Sequence, residues 1–348
     1  MKSYYPQEYK QLNKPMYRQR ASILIVVLWI ISISIVLISV LAANSRLSAT
    51  IVMRQQEALQ DWSKMLAVIN QAKMEILVNQ GGSFVNALKN SLNNKSGKKE
   101  KNKYLFNGDK IKLKYSGNDD LVVRIYDLSG KLNLTRINRA NLKKILQKKI
   151  GDENQQVEEL LDAWQDWTDA DNLKRLNGAE KNYYSKSEPA YLPRNAPLQS
   201  VNELSLIKGF RELFGNFDYS QVFSLYGVNH SQINPNIASK ETLLLIPGID
   251  LQLAEEIISK RNDSPFANMA EFNNLIPANI ASKTKGWFAL SKSRFYAIVI
   301  YPKKTEQEAS ADENGHTALY AYKEVIQVMG RNDKIKTLRV YPSYKIRI

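Results

Sequence analysis

The pattern of apolar positions begins with one very long helix. Residues 21–43 form an uncharged apolar run of 23 residues, which at about 1.5 Å per residue is long enough to cross a bilayer core. Residues 45–80 contain no proline or glycine, and their apolar side chains recur at helical spacing. These side chains are Leu59, Trp62, Leu66, Ile69, Met74 and Leu77. Because Gly81-Gly82 is the first interruption, the sequence predicts one helix of roughly 55–60 residues with a membrane-spanning front half.

Strand patterns flank a long helical block in the rest of the chain. Five runs have the composition of strands, at 110–115, 121–128, 287–301, 318–330 and 335–348. Residues 138–285 are helical in pattern, with several short helices. A hairpin turn is predicted at 330–333. The alternation within 318–328 is typical of a strand with one buried and one solvent-exposed face.

The order of these elements predicts an α+β fold. The economical arrangement is one α/β domain with a large all-α domain inserted between its strands. Three consecutive domains are the alternative, but they would leave the early strands in a short sheet, which is marginal alone. The predicted segments are a basic leader at 1–21, an N-terminal helix at 22–80, a first α/β part at 81–135, the helical insertion at 136–285 and C-terminal antiparallel strands at 286–348.

Composition excludes several kinds of site. With 44% hydrophobic and 24% charged residues, the chain is ordinary for a folded protein. It has no cysteine, so disulfides, thiolate metal sites and cysteine nucleophiles are excluded. Because His230 and His316 are its two histidines, a three-histidine zinc site is excluded as well. The net charge of +15 would suit nucleic acid or an anionic membrane, but part of it lies in residues 91–103, a lysine-rich stretch typical of a solvated loop.

Charge around the apolar run predicts its orientation. The basic residues before it are Lys2, Lys10, Lys14, Arg18 and Arg20. The same stretch contains a single acidic residue, Glu8. The positive-inside rule therefore places the N-terminus in the cytoplasm and everything after residue 44 outside. A cleaved secretory signal is the alternative, but the run is longer than the apolar region of such a signal.

Two segments of the helical block, 196–210 and 233–275, resemble helix-hairpin-helix units, the second with Ser239 as its N-cap. In DNA-binding versions the turn reads Gly-hydrophobic-Gly, so that backbone N–H groups approach a phosphate. Here it reads Gly248-Ile249-Asp250, and the carboxylate of Asp250 would repel a phosphate. We therefore predict a SAM-like packing module and expect no nucleic acid. A membrane-anchored, exported DNA-binding protein of DNA uptake is the alternative.

Residues 162–184, DAWQDWTDADNLKRLNGAEKNYY, combine acidic and aromatic side chains without histidine or cysteine. Asp166, Asp169, Asp171 and Glu180 repel one another unless a cation or nearby donors offset the charge. Oxygen ligands at irregular spacing suit a hard cation such as Ca²⁺. Three interpretations stay open, namely a solvated helix end capped by aspartates, a structural Ca²⁺ site and a carboxylate-pair hydrolase. Four aromatic residues favour core packing over a sugar platform: Trp164, Trp167, Tyr183 and Tyr184.

The run at 160–210, LLDAWQDWTDADNLKRLNGAEKNYYSKSEPAYLPRNAPLQSVNELSLIKGF, is similar to the type II secretion minor pseudopilin K family. DLSGKLNLT at 127–135, INPNIAS at 233–239 and the long N-terminal helix carry the same resemblance. The family implies a pilin-like α/β domain with a large α-helical insertion, and no enzymatic activity. It implies assembly with minor pseudopilins I and J into a tip complex that initiates or caps the periplasmic pseudopilus. It also implies calcium near the acidic segment, whose matching acids are Asp166, Asp169, Asp171 and Glu180.

The junction RQRASILIVVLW at 18–29 resembles a prepilin-peptidase site. The resemblance implies cleavage between Ala21 and Ser22, although the usual residue before the cut is glycine. Most pilins also carry a glutamate at the fifth position after the cut, where this chain has Val26. A charge inside a membrane is expensive and must find a partner, so its absence suggests a position at the end of the filament. The implied location is the inner membrane, with a single span and a periplasmic C-terminal domain.

Overall fold

The computed structural model describes residues 20–80, 104–113, 120–151, 154–215, 218–227, 232–291, 293–303, 319–330 and 334–346. Several sequence predictions fall outside these ranges: the basic leader before Arg20, the lysine-rich loop 91–103, both histidines and turn residues 331–333. The chain divides into two compact units, Met1–Lys64 and Met65–Ile348.

One helix, α1, spans Arg20–Gln80 and contains 61 residues. This confirms the predicted continuous N-terminal helix. In the first unit its large apolar side chains between Ile23 and Leu41 are 47–66% exposed. Within the described part of the chain, α1 is the one helix long and apolar enough to cross a membrane. Such a surface is unstable in water and is expected for a segment surrounded by lipid.

The second unit contains a five-stranded antiparallel sheet with strand order β1-β2-β5-β6-β7. Its strands are β1 (Asn107–Lys110), β2 (Leu121–Asp127), β5 (Phe295–Pro302), β6 (Leu319–Met329) and β7 (Lys334–Ile346). A two-stranded parallel sheet is formed by β3 (Leu132–Asn133) and β4 (Phe223–Ser224). The β-branched and aromatic residues of β2, β5 and β6 suit a pleated surface that is covered by other elements.

Two strand predictions were wrong in their extent. The first strand lies at Asn107–Lys110 rather than 110–115, and its pairing with β2 contains an irregularity. The strand predicted at 287–301 begins only at Phe295. Trp287 and Phe288 belong instead to the core of the helical block, where Phe288 forms an isolated parallel bridge with Ile233 outside the five-stranded sheet.

The sheet is covered on both faces. One face packs against the end of α1, where Val68, Ile69, Ala72 and Ile76 contact sheet residues such as Ile298. The other face includes Val325 and Ala297, which pack with Leu128 and Tyr226. The prediction of a solvent-exposed face for 318–328 is therefore wrong, because the second face also carries buried residues, among them Ala321 and Val325.

Nine α-helices lie between β2 and β5 in the described residues. They are α2 (Arg139–Ile150), α3 (Asn154–Thr168), α4 (Lys181–Tyr184), α5 (Phe210–Phe214), α6 (Tyr219–Val222), α7 (Lys240–Leu245), α8 (Leu251–Asp263), α9 (Met269–Asn273) and α10 (Ala281–Thr284). Their buried residues form a separate core that extends from Leu132 to Phe288. Because β2 and β5 are adjacent in the sheet, the chain leaves the sheet, builds this block and returns, as expected for an insertion. The predicted boundaries at 136 and 285 stay predictions.

The first predicted helix-hairpin-helix unit, at 196–210, contains a 3-10 helix where an α-helix would be usual, and it stays a prediction. Val201–Leu206 form a 3-10 helix, with Ser200 and Glu203 as a capping box. The second unit is as predicted at its start: Ser239 caps α7, and its side chain accepts a hydrogen bond from the Thr242 N–H. The turn that follows uses Gly248 at φ +88°, which favours glycine.

Candidate metal centre

Helix α3 positions the first acids of the segment. Its core face carries Val157, Leu161 and Trp164, all buried. Asp162 and Asp166 are four residues apart and therefore share another face of the same helix. Both are buried, at 8% and 0% exposure, and both accept hydrogen bonds from the chain that follows α3.

An aromatic cluster supports the end of α3. The ring of Trp167 lies edge-on to Tyr184 at a centroid distance of 5.1 Å, and Tyr184 lies 5.3 Å from Tyr191. Trp164 is 9%, Trp167 2% and Tyr184 0% exposed, which confirms the predicted core packing for these three. Tyr183 is the exception at 47% exposure, with the ammonium of Lys208 over its ring at 5.5 Å.

Asp166 holds the loop after α3 through Arg175. The Asp166 Oδ1 accepts a hydrogen bond from Arg175 Nη1 at 2.8 Å, and its carboxylate also accepts from the Arg175 backbone N–H at 3.2–3.3 Å. Arg175 Nη1 donates to Asp169 Oδ2 as well. These hydrogen bonds raise the pKa of the Arg175 guanidinium. Asp162 braces the same loop, because its Oδ2 accepts from the Asn177 N–H at 3.3 Å.

Three carboxylates converge beside this ion pair. One oxygen from each of Asp169, Asp171 and Glu180 lies within 4.8 Å of the others. Glu180 is 5% exposed, and neither of its carboxylate oxygens has a hydrogen-bond partner. The Asp169 Oδ1 is also buried without a partner. Burial raises the pKa of Glu180, and repulsion from Asp166 raises it further.

We call Asp166, Asp169, Asp171 and Glu180 the acidic cluster. Buried carboxylate oxygens without donors are costly unless a cation neutralises them, and an oxygen-only donor set is the kind that Ca²⁺ prefers. The three converging acids therefore fit a hard divalent cation. Asp166, the fourth predicted ligand, is brought to Arg175 rather than into the group of three, and its role as a ligand stays a prediction.

Sequence reasoning did not identify two residues of this site, Arg175 and Asp162. The sequence does contain a pattern that could have identified Asp162, because this residue precedes Asp166 by one turn of a recognisable helix. Arg175 was harder to identify, because it lies in an irregular loop, where spacing in the sequence does not indicate the distance between side chains.

The turn of the second helix-hairpin-helix unit is occupied from within the protein. The Asp250 side chain accepts a hydrogen bond from the Leu253 N–H at 2.9 Å and so caps α8. Lys148 on α2 donates to the carbonyl oxygen of Ile246 at 2.7 Å and to that of Ile249. The turn therefore packs against α2 through its carbonyl groups, as a packing module would.

The predicted processing and anchor residues lie in the first unit. Ala21 and Ser22 fall within α1, and Val26 is 54% exposed. The hydroxyl groups of Ser32 and Ser39 each donate to a carbonyl oxygen one turn earlier, both at 2.8 Å. These two hydroxyl groups are thus satisfied within the helix, as lipid requires.

Comparison with protein families identifies a matching domain. The family model described as type II secretion system (T2SS), protein K matches residues 130–214, which contain the whole acidic cluster. The type II secretion system protein K of Klebsiella pneumoniae is 26% identical over 177 residues, 48% of this chain. The protein of the same name from Pseudomonas aeruginosa is 28% identical over 198 residues, 54% of this chain. The chain spans 54% and 58% of the length of these relatives.

Comparison with solved structures shows the fold. The chain is similar to one in the crystal structure of the GspK-GspI-GspJ complex from the enterotoxigenic Escherichia coli type 2 secretion system, with a TM-score of 0.52 and 12% sequence identity. The match covers 84% of this chain and 99% of that chain. The family model and the two relatives confirm the resemblance to the protein K family that the sequence predicts, and the solved structure confirms the fold.

Proposed function

We propose that the protein is a minor pseudopilin of a type II secretion system, and that it works with minor pseudopilins I and J in a tip complex that initiates or caps the periplasmic pseudopilus. The observation that carries the proposal is the protein K match over residues 130–214. It falls on the part of the chain that leaves the sheet after β2. The fold shared with a chain of the GspK-GspI-GspJ complex supports the same partners.

The front of α1 supports an anchor in the inner membrane. We propose that prepilin peptidase cuts between Ala21 and Ser22 and that residues after 44 lie in the periplasm. The exposed apolar side chains from Ile23 to Leu41 suit lipid and neighbouring helices. We propose that the protein acts in assembly of the pseudopilus and has no catalytic role.

The helix α1 also exposes apolar side chains beyond the membrane run. Leu59 is 68%, Leu66 40% and Met74 45% exposed, whereas Ile69 is 1% exposed. Large exposed apolar side chains in a periplasmic segment mark an interaction surface. We propose that Leu59 and its neighbours contact the equivalent helices of the partner pseudopilins.

Co-expression of the full chain with candidate pseudopilins I and J tests the proposal. We expect the three proteins to purify together from detergent-solubilised membranes in one complex of fixed stoichiometry. Leu59→Asn should weaken recovery of the partners without altering the melting temperature, because this side chain is not part of the core. Gln60→Asn is the matched control. Recovery of the chain alone, under conditions where I and J pair with each other, contradicts the tip-complex assignment.

We also propose that the acidic cluster binds one structural Ca²⁺ through Asp169, Asp171 and Glu180. The unpartnered buried oxygens of Glu180 and Asp169 support this. A Ca²⁺ ion that binds the folded state should raise the melting temperature relative to excess chelator. Glu180→Gln should abolish that difference, whereas the exposed control Glu256→Gln on α8 should retain it. A wild-type melting temperature that is insensitive to Ca²⁺ contradicts the site.

A further inference from the structure

Arg175 joins two members of the acidic cluster. Its Nη1 donates to Asp166 Oδ1 at 2.8 Å and to Asp169 Oδ2, and its backbone N–H donates to the Asp166 carboxylate. The neighbouring Lys174 is exposed and has no such contact among the described residues. The Arg175 guanidinium therefore lies between Asp166 and Asp169, where it takes the place of a cation from solution.

This contact divides the acidic cluster into two halves. In the first half, Asp166 and the Oδ2 of Asp169 are neutralised by Arg175. In the second half, the Oδ1 of Asp169 and both oxygens of Glu180 are buried without partners, and an oxygen of Asp171 lies nearby. Asp169 belongs to both halves, because each of its oxygens faces a different one.

We propose that Arg175 is an internal counter-ion, which occupies one cation position of the acidic cluster and weakens Ca²⁺ binding at the other. The inference rests on the calcium site proposed above. It assigns to Arg175 two effects: the loop from Asp169 to Glu180 is held to α3 when no metal is bound, and the affinity for Ca²⁺ is kept low.

Arg175 and a bound Ca²⁺ would repel each other across a shared ligand. A divalent ion at Asp169 Oδ1 and Glu180 shares the Asp169 carboxylate with Arg175, so the two positive charges lie within a few ångströms of each other. A guanidinium remains charged at every physiological pH, so the repulsion is permanent. Removing the guanidinium also frees the second oxygen of Asp169 for the metal.

Calcium titration calorimetry on the full chain in non-ionic detergent tests the proposal. We expect wild type to bind one Ca²⁺ and Arg175→Gln to bind at least about tenfold more tightly, since a unit charge close to a divalent ion costs that much even at high dielectric. In chelator, Arg175→Gln should melt below wild type, and saturating Ca²⁺ should close the gap. Arg175→Lys keeps the positive charge and should bind Ca²⁺ less tightly than Arg175→Gln. The adjacent Lys174→Gln is the control that should bind like wild type.

Because Arg175→Gln leaves Asp166 as an unpaired buried charge, a second variant guards against failure to fold. The double variant Arg175→Gln/Asp166→Asn removes both charges of the pair and frees the Asp169 Oδ2. It should bind Ca²⁺ more tightly than wild type but less tightly than Arg175→Gln, because the negative charge of Asp166 is lost as well. Unchanged or weaker binding in the folded variants overturns the inference and leaves Arg175 as a structural brace.

Two further outcomes separate this inference from the calcium proposal. If neither wild type nor variant binds Ca²⁺, both are wrong. If only the variants bind, the natural chain has no calcium site, and Arg175 is supported as the cation that replaces it. The tip-complex assignment is unaffected by either outcome, since it is measured by co-purification.

Discussion

Gly178 permits the acidic loop to approach α3. A Cβ added at Gly178 would lie 1.9 Å from the Oδ2 of Asp166, a contact that real side chains do not make. Gly178→Ala must therefore displace a fully buried carboxylate from Arg175, and we expect it to lower the free energy of unfolding by about 2 kcal/mol. Urea denaturation in chelator measures the effect.

Gly227→Ala is a matched control for that substitution, because its Cβ would meet its nearest atom, Asn133 Nδ2, at 3.3 Å. We expect it to cost less than about 1 kcal/mol. Equal unfolding curves for the two variants would show that the Asp166 carboxylate moves aside without cost.

Two lysines near the sheet predict a pH dependence of stability. Burial, together with the charge of Lys131, lowers the pKa of Lys323 to about 7. Burial likewise lowers the pKa of Lys131 to about 8. Since both values lie below the ordinary value near 10.4, the unfolded chain binds more protons between about pH 7 and 10, and stability rises with pH across that window.

Lys323→Met removes the free-energy cost of burying one of these two charged lysines. We expect the variant to be more stable than wild type at pH 6 by about 1–2 kcal/mol, and the advantage to shrink by pH 9, where the wild-type lysine is neutral in the folded state. Chemical denaturation at the two pH values measures this. Lys336→Met, an exposed position on β7, should show no such trend, and an equal trend in both variants would refute the assignment to Lys323.

The residue types of the acidic cluster could be predicted from the sequence, but their partners could not. Asp166, Asp169, Asp171 and Glu180 are conspicuous because no cysteine or histidine accompanies them. Which acids share a cation depends on the path of an irregular loop, and that path depends on contacts such as those made by Asp162 and Arg175. Loop geometry follows from such long-range contacts and leaves no periodic pattern.

At the scale of elements, the contact between α1 and β6 contains a buried ion pair. Lys73 Nζ lies 2.7 Å from Glu324 Oε1, with side-chain exposures of 21% and 4%, and Thr337 donates to the same oxygen at 2.5 Å. Lys73→Met leaves Glu324 as a buried charge without its cation. We expect a loss of about 2 kcal/mol in the free energy of unfolding, toward the low end for buried pairs because Lys73 is partly exposed.

A double-mutant cycle with Glu324→Gln measures the coupling of this pair. The double variant should recover part of the loss, because a neutral amide replaces the unpaired carboxylate. Strict additivity of the two single changes would mean that solvent or Thr337 already compensates Glu324.

Element prediction succeeded where one local pattern dominates. The absence of glycine and proline was sufficient to predict α1, and runs of β-branched residues were sufficient to predict β2, β6 and β7. It failed at Trp287 and Phe288, whose apolar side chains serve the core of the helical block, and at the predicted solvent-exposed face of β6. In both cases the missing information is which distant segment covers the residue, and hydrophobicity alone does not specify it.

At the scale of the whole molecule, the tip-complex proposal predicts a role for Val26. This residue is 54% exposed in the apolar run of α1, at the fifth position after the proposed cut, where a shaft subunit would carry a glutamate. A glutamate inside the membrane is stable only when a partner group neutralises it. Val26→Glu should therefore shift the chain from the tip complex toward incorporation along the shaft, where such partners occur.

Val27→Glu is the matched control, because it places the same charge one position later, on another side of the helix, at 47% exposure. It should reduce membrane assembly without redirecting the chain. Cross-linking followed by quantification of pseudopilins I and J per copy of this chain distinguishes the two variants. If Val26→Glu leaves that stoichiometry unchanged while Val27→Glu lowers assembly, the missing charge does not determine the position of this subunit, and the helical block between β2 and β5 becomes the element to test next.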